Sequence, residues 1–494
     1  MQQGQITAFL SLISTLLLSV ICTAVEAVRV EGLLLQGESA MQMAECSLLS
    51  GFQPDLLREY ELFFVDGADE KGHFSSACLE SFLGEDLNYN LRPAKGLPIG
   101  NRMSFFNSRV SSIELGDFCL ATDAQGYEFY KQAVAYEKNR LGIDLLEKLV
   151  GETSLGEKYI QEGESLSKEE EAQQKTIDRL EEENKETENA FSQNDFMDNN
   201  PLNDMKDCKA GGILSLILGE KTVSGKQIDL EKMPSKRELL VGSGQKKTDS
   251  FVGAIEDRLL FGEYILDKFH HALSEETGPG LSYEVEYILV GKDSDKKNLE
   301  GILNRLLLFR EGVNYLYLHS DNQKVAEAEA LATALVGFTC LPPVVTAMRE
   351  LLLLGWAYAE SIADLRNLMN GGTLALIKTS ENWQMSLENI GNLVSEEGQK
   401  REEKGGLSYE GYLRLLLGLK GGKEKVMAVL DLIETNIRQK EGMGCFRIDC
   451  CFSKCNYKMT YEAKPLFLGI PIAERMLGNK NGMYCFSTEG SIHY

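Results

Sequence analysis

The chain has 494 residues, which is enough for two or three domains with hydrophobic cores of their own. Its formal net charge of −24 argues against binding to nucleic acid, because phosphate contacts need a basic surface, and it disfavours anionic membrane surfaces for the same reason. Eleven cysteines are too few, in a chain of this length, for a disulfide-stabilised scaffold.

The most informative segment is N-terminal. An uncharged, apolar stretch starts at Ile6 and ends at Val25, and charges return at Glu26, Arg29 and Glu31. About 20 residues at a rise of about 1.5 Å per residue cross a hydrocarbon core of roughly 30 Å, whereas the apolar part of a signal peptide needs only about 7–15 residues. We therefore predict a transmembrane helix over residues 6–25, with the lipid bilayer as its partner.

Two fates are open for this segment. Residues 1–5 contain no Lys or Arg, so the positive-inside rule does not orient it. A signal peptide normally has a basic start and a small-x-small cleavage site, and Val25-Glu26-Ala27 matches that site poorly. Retention as an anchor is the favoured interpretation, and cleavage near Ala27 is the alternative.

The helical pattern continues beyond the span. Apolar residues recur at helical spacing as far as Ser50, and no proline occurs before Pro54. The pattern predicts one long helix whose second half projects from the membrane. Aromatic residues between 60 and 130 follow strand and turn patterns, so residues 26–150 are predicted to form the projecting helix and a small α+β head.

Residues 151–249 form a predicted linker region. The segment is rich in charge and poor in apolar residues as far as about residue 204, so it cannot bury enough surface to fold alone. It is predicted to be a solvated helix followed by a flexible linker. A coiled coil around Ile177 and Leu180 is the alternative.

Residues 250–475 are predicted to form a larger, helix-rich α+β domain, and residues 476–494 a loose tail. Two apolar helices, at 324–340 and 344–369, carry internal charges such as Arg349 and Glu350, which favours a buried hairpin over a second membrane entry. The other predicted elements are helices at 251–273, 293–308, 409–419 and 426–437, and strands at 282–290, 373–378 and 446–462.

The sequence shows no catalytic, cofactor or metal motif, so a non-enzymatic protein is predicted. One group of cysteines stands out, but its spacing does not match the paired CxxC pattern of zinc sites. Both disulfides and free thiols fit these residues. The group consists of Cys445, Cys450, Cys451, Cys455 and, further on, Cys485.

Seven blocks of sequence carry a family resemblance. They are GQITAFLSL (4–12), EAVRVEG (26–32), EYELFFVD (59–66), LSYEVEYIL (281–289), NRL (304–306), WAYAES (356–361) and LSYEGYLR (407–414). With these blocks the chain resembles a family of unknown function related to the TadE/TadG pseudopilin-like proteins. The resemblance covers most of the chain except the acidic linker.

The resemblance implies a single-pass protein of the cell membrane in Gram-positive-type bacteria, with most of the chain outside the cytoplasm. It also implies a role as a component or accessory of a tight-adherence (Flp) pilus or related secretion apparatus, whose proteins would be its partners. Pilin-like precursors are cut after a glycine that precedes the apolar stretch, so the matching position lies between Gly4 and Gln5. Phe9 stands where pilins carry a glutamate. The alternative remains a secreted binding or adhesin-like protein, released by cleavage near Ala27.

Overall fold

The computed structural model describes residues 2–69, 71–91, 105–140, 151, 212–219, 221–244, 255–337, 342–387, 400–466 and 483–494. Over these residues the fold is helix-rich α+β, with a long apolar N-terminal helix and a small antiparallel sheet. Most of the predicted linker, including Ile177 and Leu180, falls outside the described residues, and the predictions made for it stay predictions. The chain divides into two compact units.

Unit 1 comprises Met1–Gln132, Glu238–Ser250 and Lys440–Tyr494. Helix α1, Gln2–Ser50, runs for 49 residues without a break, which confirms the predicted continuation to Ser50. The absence of proline explains this continuity, because each backbone N–H can bond to the carbonyl four residues earlier. Helices α2 (Pro54–Tyr60) and α3 (Ser76–Leu91) follow.

The sheet of unit 1 has four antiparallel strands: β1 (Val65–Asp66), β2 (Ser108–Leu120), β3 (Cys451–Ala463) and β4 (Tyr484–His493). Strand β3 is central, with β2 along one edge, and β1 and β4 pair with successive parts of its other edge. Segments separated by more than 300 residues therefore share one sheet.

This arrangement differs from the sequence-based layout. The sequence predicts that residues 446–462 belong to the larger domain, whereas in the structure β3 pairs with β2 of the N-terminal head. The prediction of a loose tail over residues 476–494 is wrong for β4, which pairs with β3 along its length. The apolar pattern of this strand in the sequence is weak, because β4 lies at a sheet edge and only alternate residues such as Tyr484 and Ile492 are buried.

The second half of α1 packs on this sheet together with α3. Leu33, Ala40 and Leu48 of α1 are buried in one hydrophobic cluster with the leucines of α3 and the inward residues of β3. Gly37 marks the closest approach: a Cβ there would lie 2.3 Å from the Cζ atom of Tyr461. The absence of a side chain at residue 37 lets the helix lie directly on the tyrosine ring.

Unit 2 comprises Ala133–Arg237 and Phe251–Gln439, and α4 (Asp123–Arg140) runs from unit 1 into it. Helix α10 (Pro342–Met369) is buried along most of its length, as expected for a core helix and not a second membrane span. The other described helices of unit 2 are α5 (Ile213–Leu218), α6 (Ile255–Lys268), α7 (Glu284–Val290), α8 (Asp295–Ser320), α9 (Asn322–Val336), α10 (Pro342–Met369), α11 (Tyr409–Leu419) and α12 (Gly422–Arg438).

Two strand predictions in unit 2 are wrong. Residues 282–290 alternate as a strand would, but Glu284–Val290 is helix α7, and its residues from Glu284 to Leu289 are all buried. A helix buried all round has no polar face, so periodicity cannot identify it. Residues 373–378 form only isolated bridges, from Thr373 to Glu402 and from Leu374 to Leu407.

Candidate functional site

The candidate functional site is the apolar first half of α1 and the point where it enters unit 1. In the part of the chain that the structure describes, one helix, α1, is both long enough and apolar enough to cross a membrane. Its apolar side chains face outward; Phe9 is 64% exposed and Leu12 is 66% exposed. Contiguous exposed apolar surface of this kind is typical of a surface that contacts lipid or another protein.

Four hydroxyl groups in this segment bond to backbone carbonyls of the helix itself. Ser11 donates to the Ala8 carbonyl at 3.0 Å, and Thr23 donates to the Ser19 carbonyl at 2.7 Å. Thr15 and Ser19 make equivalent bonds. Hydrocarbon offers no hydrogen-bond partner, so intrahelical bonds of this type allow polar side chains to enter it.

Burial begins at a charged pair. Glu26 and Arg29 face the head from one side of α1, and they are 2% and 0% exposed. The Arg29 Nη1 atom lies 2.9 Å from Oε1 of Glu26. A buried charge needs a partner and further hydrogen bonds to offset its lost hydration.

Those further bonds come from two other segments of unit 1. Arg29 donates from Nε to the Phe105 carbonyl at 2.6 Å and from Nη2 to the Phe106 carbonyl at 2.8 Å. Glu26 accepts a bond from the Leu466 backbone N–H at 3.2 Å. The pair therefore ties two distant parts of the chain to α1 at the point where the helix leaves the head.

The sequence had identified Glu26 and Arg29 only as the charges that end the span. Their spacing of three residues, which places both on one helix face, was the available signal for a pair. Gly4 and Gln5 lie inside α1, and cleavage between them stays a prediction.

The predicted cysteine group does not come together as one site. Cys450, Cys451 and Cys455 are buried, whereas Cys445 is exposed and Cys485 is half-buried, and all five are free thiols. In the sheet Cys455 lies opposite Ile492, and Cys485 lies opposite Glu462. Burial raises the pKa of Cys455 to about 12, so this thiol is protonated at neutral pH. No cluster of metal-ligating side chains occurs among the described residues.

Unit 2 contains a buried charge cluster of two cations and two carboxylates. The Asp364 carboxylate lies 2.8 Å from Nη2 of Arg310 and 2.7 Å from Nζ of Lys378. The Lys378 Nζ atom also lies 2.6 Å from Oε1 of Glu360. All four side chains have no exposed surface. Their charges balance, and Glu360 also binds the backbone N–H of Met385 at 2.7 Å, so the cluster fastens the segment after α10 to that helix.

A second buried polar cluster surrounds α7. Glu284 accepts from the backbone N–H of His270 at 2.9 Å, and Glu286 accepts from that of Ala272 at 2.9 Å and from the Tyr409 hydroxyl at 2.7 Å. Burial raises the pKa of Glu286 to about 7. Both carboxylates are at most 1% exposed, so they stabilise the turn before α7 and present nothing to a substrate from solvent.

Comparison with known proteins adds a family. No curated protein and no solved structure matches the chain. One family model matches residues 191–463, more than half of the 494 residues, and its description is a family of unknown function. That description names no activity, so the resemblance to pseudopilin-like proteins stays a prediction. The match includes β3 and most of unit 2, and it leaves out α1 and β2. The chain is therefore a member of the family of unknown function DUF5702.

Proposed function

We propose that this protein is a non-enzymatic, membrane-anchored, extracytoplasmic component or accessory of a tight-adherence pilus or related secretion apparatus. One observation carries the proposal: α1 is exposed and apolar over its first half and packs on the antiparallel sheet of unit 1 over its second half. That is the design expected of a pilin-like subunit. The side of the membrane rests on the sequence resemblance.

The Glu26–Arg29 pair supports retention of the anchor. Cleavage after Ala27 would remove Glu26 and leave the fully buried Arg29 guanidinium without its carboxylate. Breaking a buried ion pair in this way costs about 3–5 kcal/mol. Residue 27 is also in the middle of a continuous helix, whereas peptidases act on extended chains.

The buried charge cluster of Arg310, Glu360, Asp364 and Lys378 in unit 2 supports a non-enzymatic role, because its ionised groups are closed to solvent and already paired. The competing secreted, adhesin-like protein would need a mature chain that starts near Val28.

Thiol labelling in whole cells tests the anchor and its orientation. Cys46, Cys78 and Cys445 are exposed in unit 1, so a membrane-impermeant maleimide should label them in intact cells that express the full chain. A variant with all three changed to Ser is the matched control. Labelling only after permeabilisation would place unit 1 in the cytoplasm and overturn the orientation.

The same cells test the anchor and the role. The protein should stay in the membrane fraction after a high-salt wash, and mapping of its N-terminus should give Met1 or Gln5. A soluble chain starting near Val28 would support the secreted alternative.

Deletion of the gene should reduce surface pili or secretion. The full chain should restore them, and a chain lacking residues 1–25 should not. Unchanged pili and secretion would reject the apparatus role.

A further inference from the structure

Three residues at the level where α1 leaves unit 1 have exposed apolar side chains. Val28 is 70% exposed, Phe105 is 44% exposed and Leu466 is 39% exposed. They belong to three separate segments, yet the backbones of Phe105 and Leu466 both hydrogen-bond to the Glu26–Arg29 pair. We call these three residues the collar.

The collar has a rigid support. The ring of Phe106 lies directly on Gly32 of α1, where an added Cβ would come within 2.5 Å of it. Phe105 meets Phe106 edge to face, with ring centroids 5.3 Å apart. Phe105 is therefore held from behind while a large part of its ring faces outward.

Along α1 itself, no unpaired charge occurs from Ile6 to Val30. Glu26 and Arg29 are the charged residues between Ile6 and Val30, and they are buried against each other. The next charge along α1 is Glu31. A surface with its charges neutralised internally can approach lipid without the cost of dehydrating an ion.

We propose that the collar rests in the interfacial layer of the bilayer that α1 enters, so that the head of unit 1 sits directly on the membrane. The inference rests on the proposed anchor. Val28 lies three residues after Val25, or about 4.5 Å along the helix, so the exposed apolar surface of the span continues into the collar. Aromatic and aliphatic side chains at the water–lipid boundary are typical of such contacts.

Tryptophan quenching by lipid tests the collar. The full chain carrying Phe105→Trp is reconstituted into phosphatidylcholine vesicles whose acyl chains are brominated near the headgroup, and wild-type emission is subtracted. Phe82→Trp is the matched control, because Phe82 is 47% exposed on α3 of the same unit. Phe82 lies away from the collar: near the end of α3 Asn88 accepts a bond from the Val110 N–H, whereas Glu80, next to Phe82, accepts one from the Leu115 N–H, further along β2 from Phe105.

We expect the added emission of Phe105→Trp to be quenched at least twofold more by brominated lipid than that of Phe82→Trp, and to be protected from acrylamide. Leu466→Trp should give the same result, which covers the case in which one variant fails to fold. If the vesicles float with the protein but acrylamide quenches both variants equally, the anchor stands and the collar is wrong.

Protection from both quenchers that disappears as the protein is diluted in lipid would mean that a second copy covers the collar, which also overturns the lipid contact. Failure of the wild-type chain to float with vesicles would instead reject the anchor itself.

Discussion

Replacement of Gly37 by alanine tests how α1 is held on the sheet. In an exposed helix this change stabilises by about 1 kcal/mol. Here the new Cβ would lie 2.3 Å from both the Cζ and the hydroxyl oxygen of Tyr461. Tyr461 cannot move aside easily, because it has no exposed surface and stacks on Phe486 with centroids 5.2 Å apart. Overpacking of this kind costs about 1–3 kcal/mol, so after the gain of about 1 kcal/mol in helix propensity we expect a net loss of about 1 kcal/mol.

A buried thiol provides the assay. Cys455 lies in the core of unit 1 with no exposed surface, so its alkylation in the native protein reports how often unit 1 opens. A net loss of about 1 kcal/mol corresponds to a roughly fivefold faster reaction, since each 1.4 kcal/mol is tenfold. Mass spectrometry of the detergent-solubilised full chain resolves this cysteine from the others.

Gly84→Ala is the matched control. Gly84 lies in α3, where an added Cβ would meet only the Ile113 Cδ1 atom at an ordinary 3.5 Å. This variant should label Cys455 more slowly than wild type. In a Tyr461→Leu background, Gly37→Ala should lose most of its effect. If Gly37→Ala labels no faster than Gly84→Ala, the close packing of α1 on Tyr461 is refuted.

Three further predictions concern buried charge. Burial lowers the pKa of Lys425 from its ordinary 10.5 to about 7. Between these two pH values the unfolded chain binds a proton that the folded chain has released, so the free energy of unfolding should rise with pH by at most about 1.4 kcal/mol per pH unit. Lys425→Met should abolish this rise. Burial raises the pKa of Glu286 to about 7, so stability should fall as pH rises from about 4.5 to 7, and Glu286→Gln should remove that fall. Thermal melts followed by tryptophan fluorescence measure both slopes. Arg29→Leu should destabilise unit 1 by about 3–5 kcal/mol, because it leaves the Glu26 carboxylate buried and unpaired, and Cys455 labelling measures this loss.

Each of these has its own contrary outcome. If stability changes with pH equally in wild type and in Lys425→Met, the Lys425 ammonium is hydrated in the folded protein. If it changes equally in wild type and in Glu286→Gln, the Glu286 carboxylate is hydrated there. The double variant Glu26→Gln with Arg29→Leu should recover much of the loss of Arg29→Leu. No recovery would mean that the arginine acts through its two carbonyl contacts alone.

Local patterns were sufficient for several elements. The apolar run from Ile6 and the lack of proline before Pro54 predicted α1 to its observed end at Ser50. Helix α11 occupies the predicted residues, Tyr409–Leu419, because one face is apolar and Ser408 caps its start. In such segments the deciding interactions lie within a few residues, so the sequence contains them.

Long-range contacts decided the rest. The pairing of β2 with β3, and of β4 with β3, joins segments whose partners no local pattern specifies. Helix α7 was mistaken for a strand because its burial on every side removed the periodic signal.

The same division applies to the candidate site. The sequence by itself determined that an apolar stretch of membrane length lies near the N-terminus and is followed by the charges of Glu26 and Arg29. Only the tertiary structure decided that these two charges are buried as a pair, because the groups that complete their hydrogen bonds, at Phe105, Phe106 and Leu466, lie about 75 to 440 residues away.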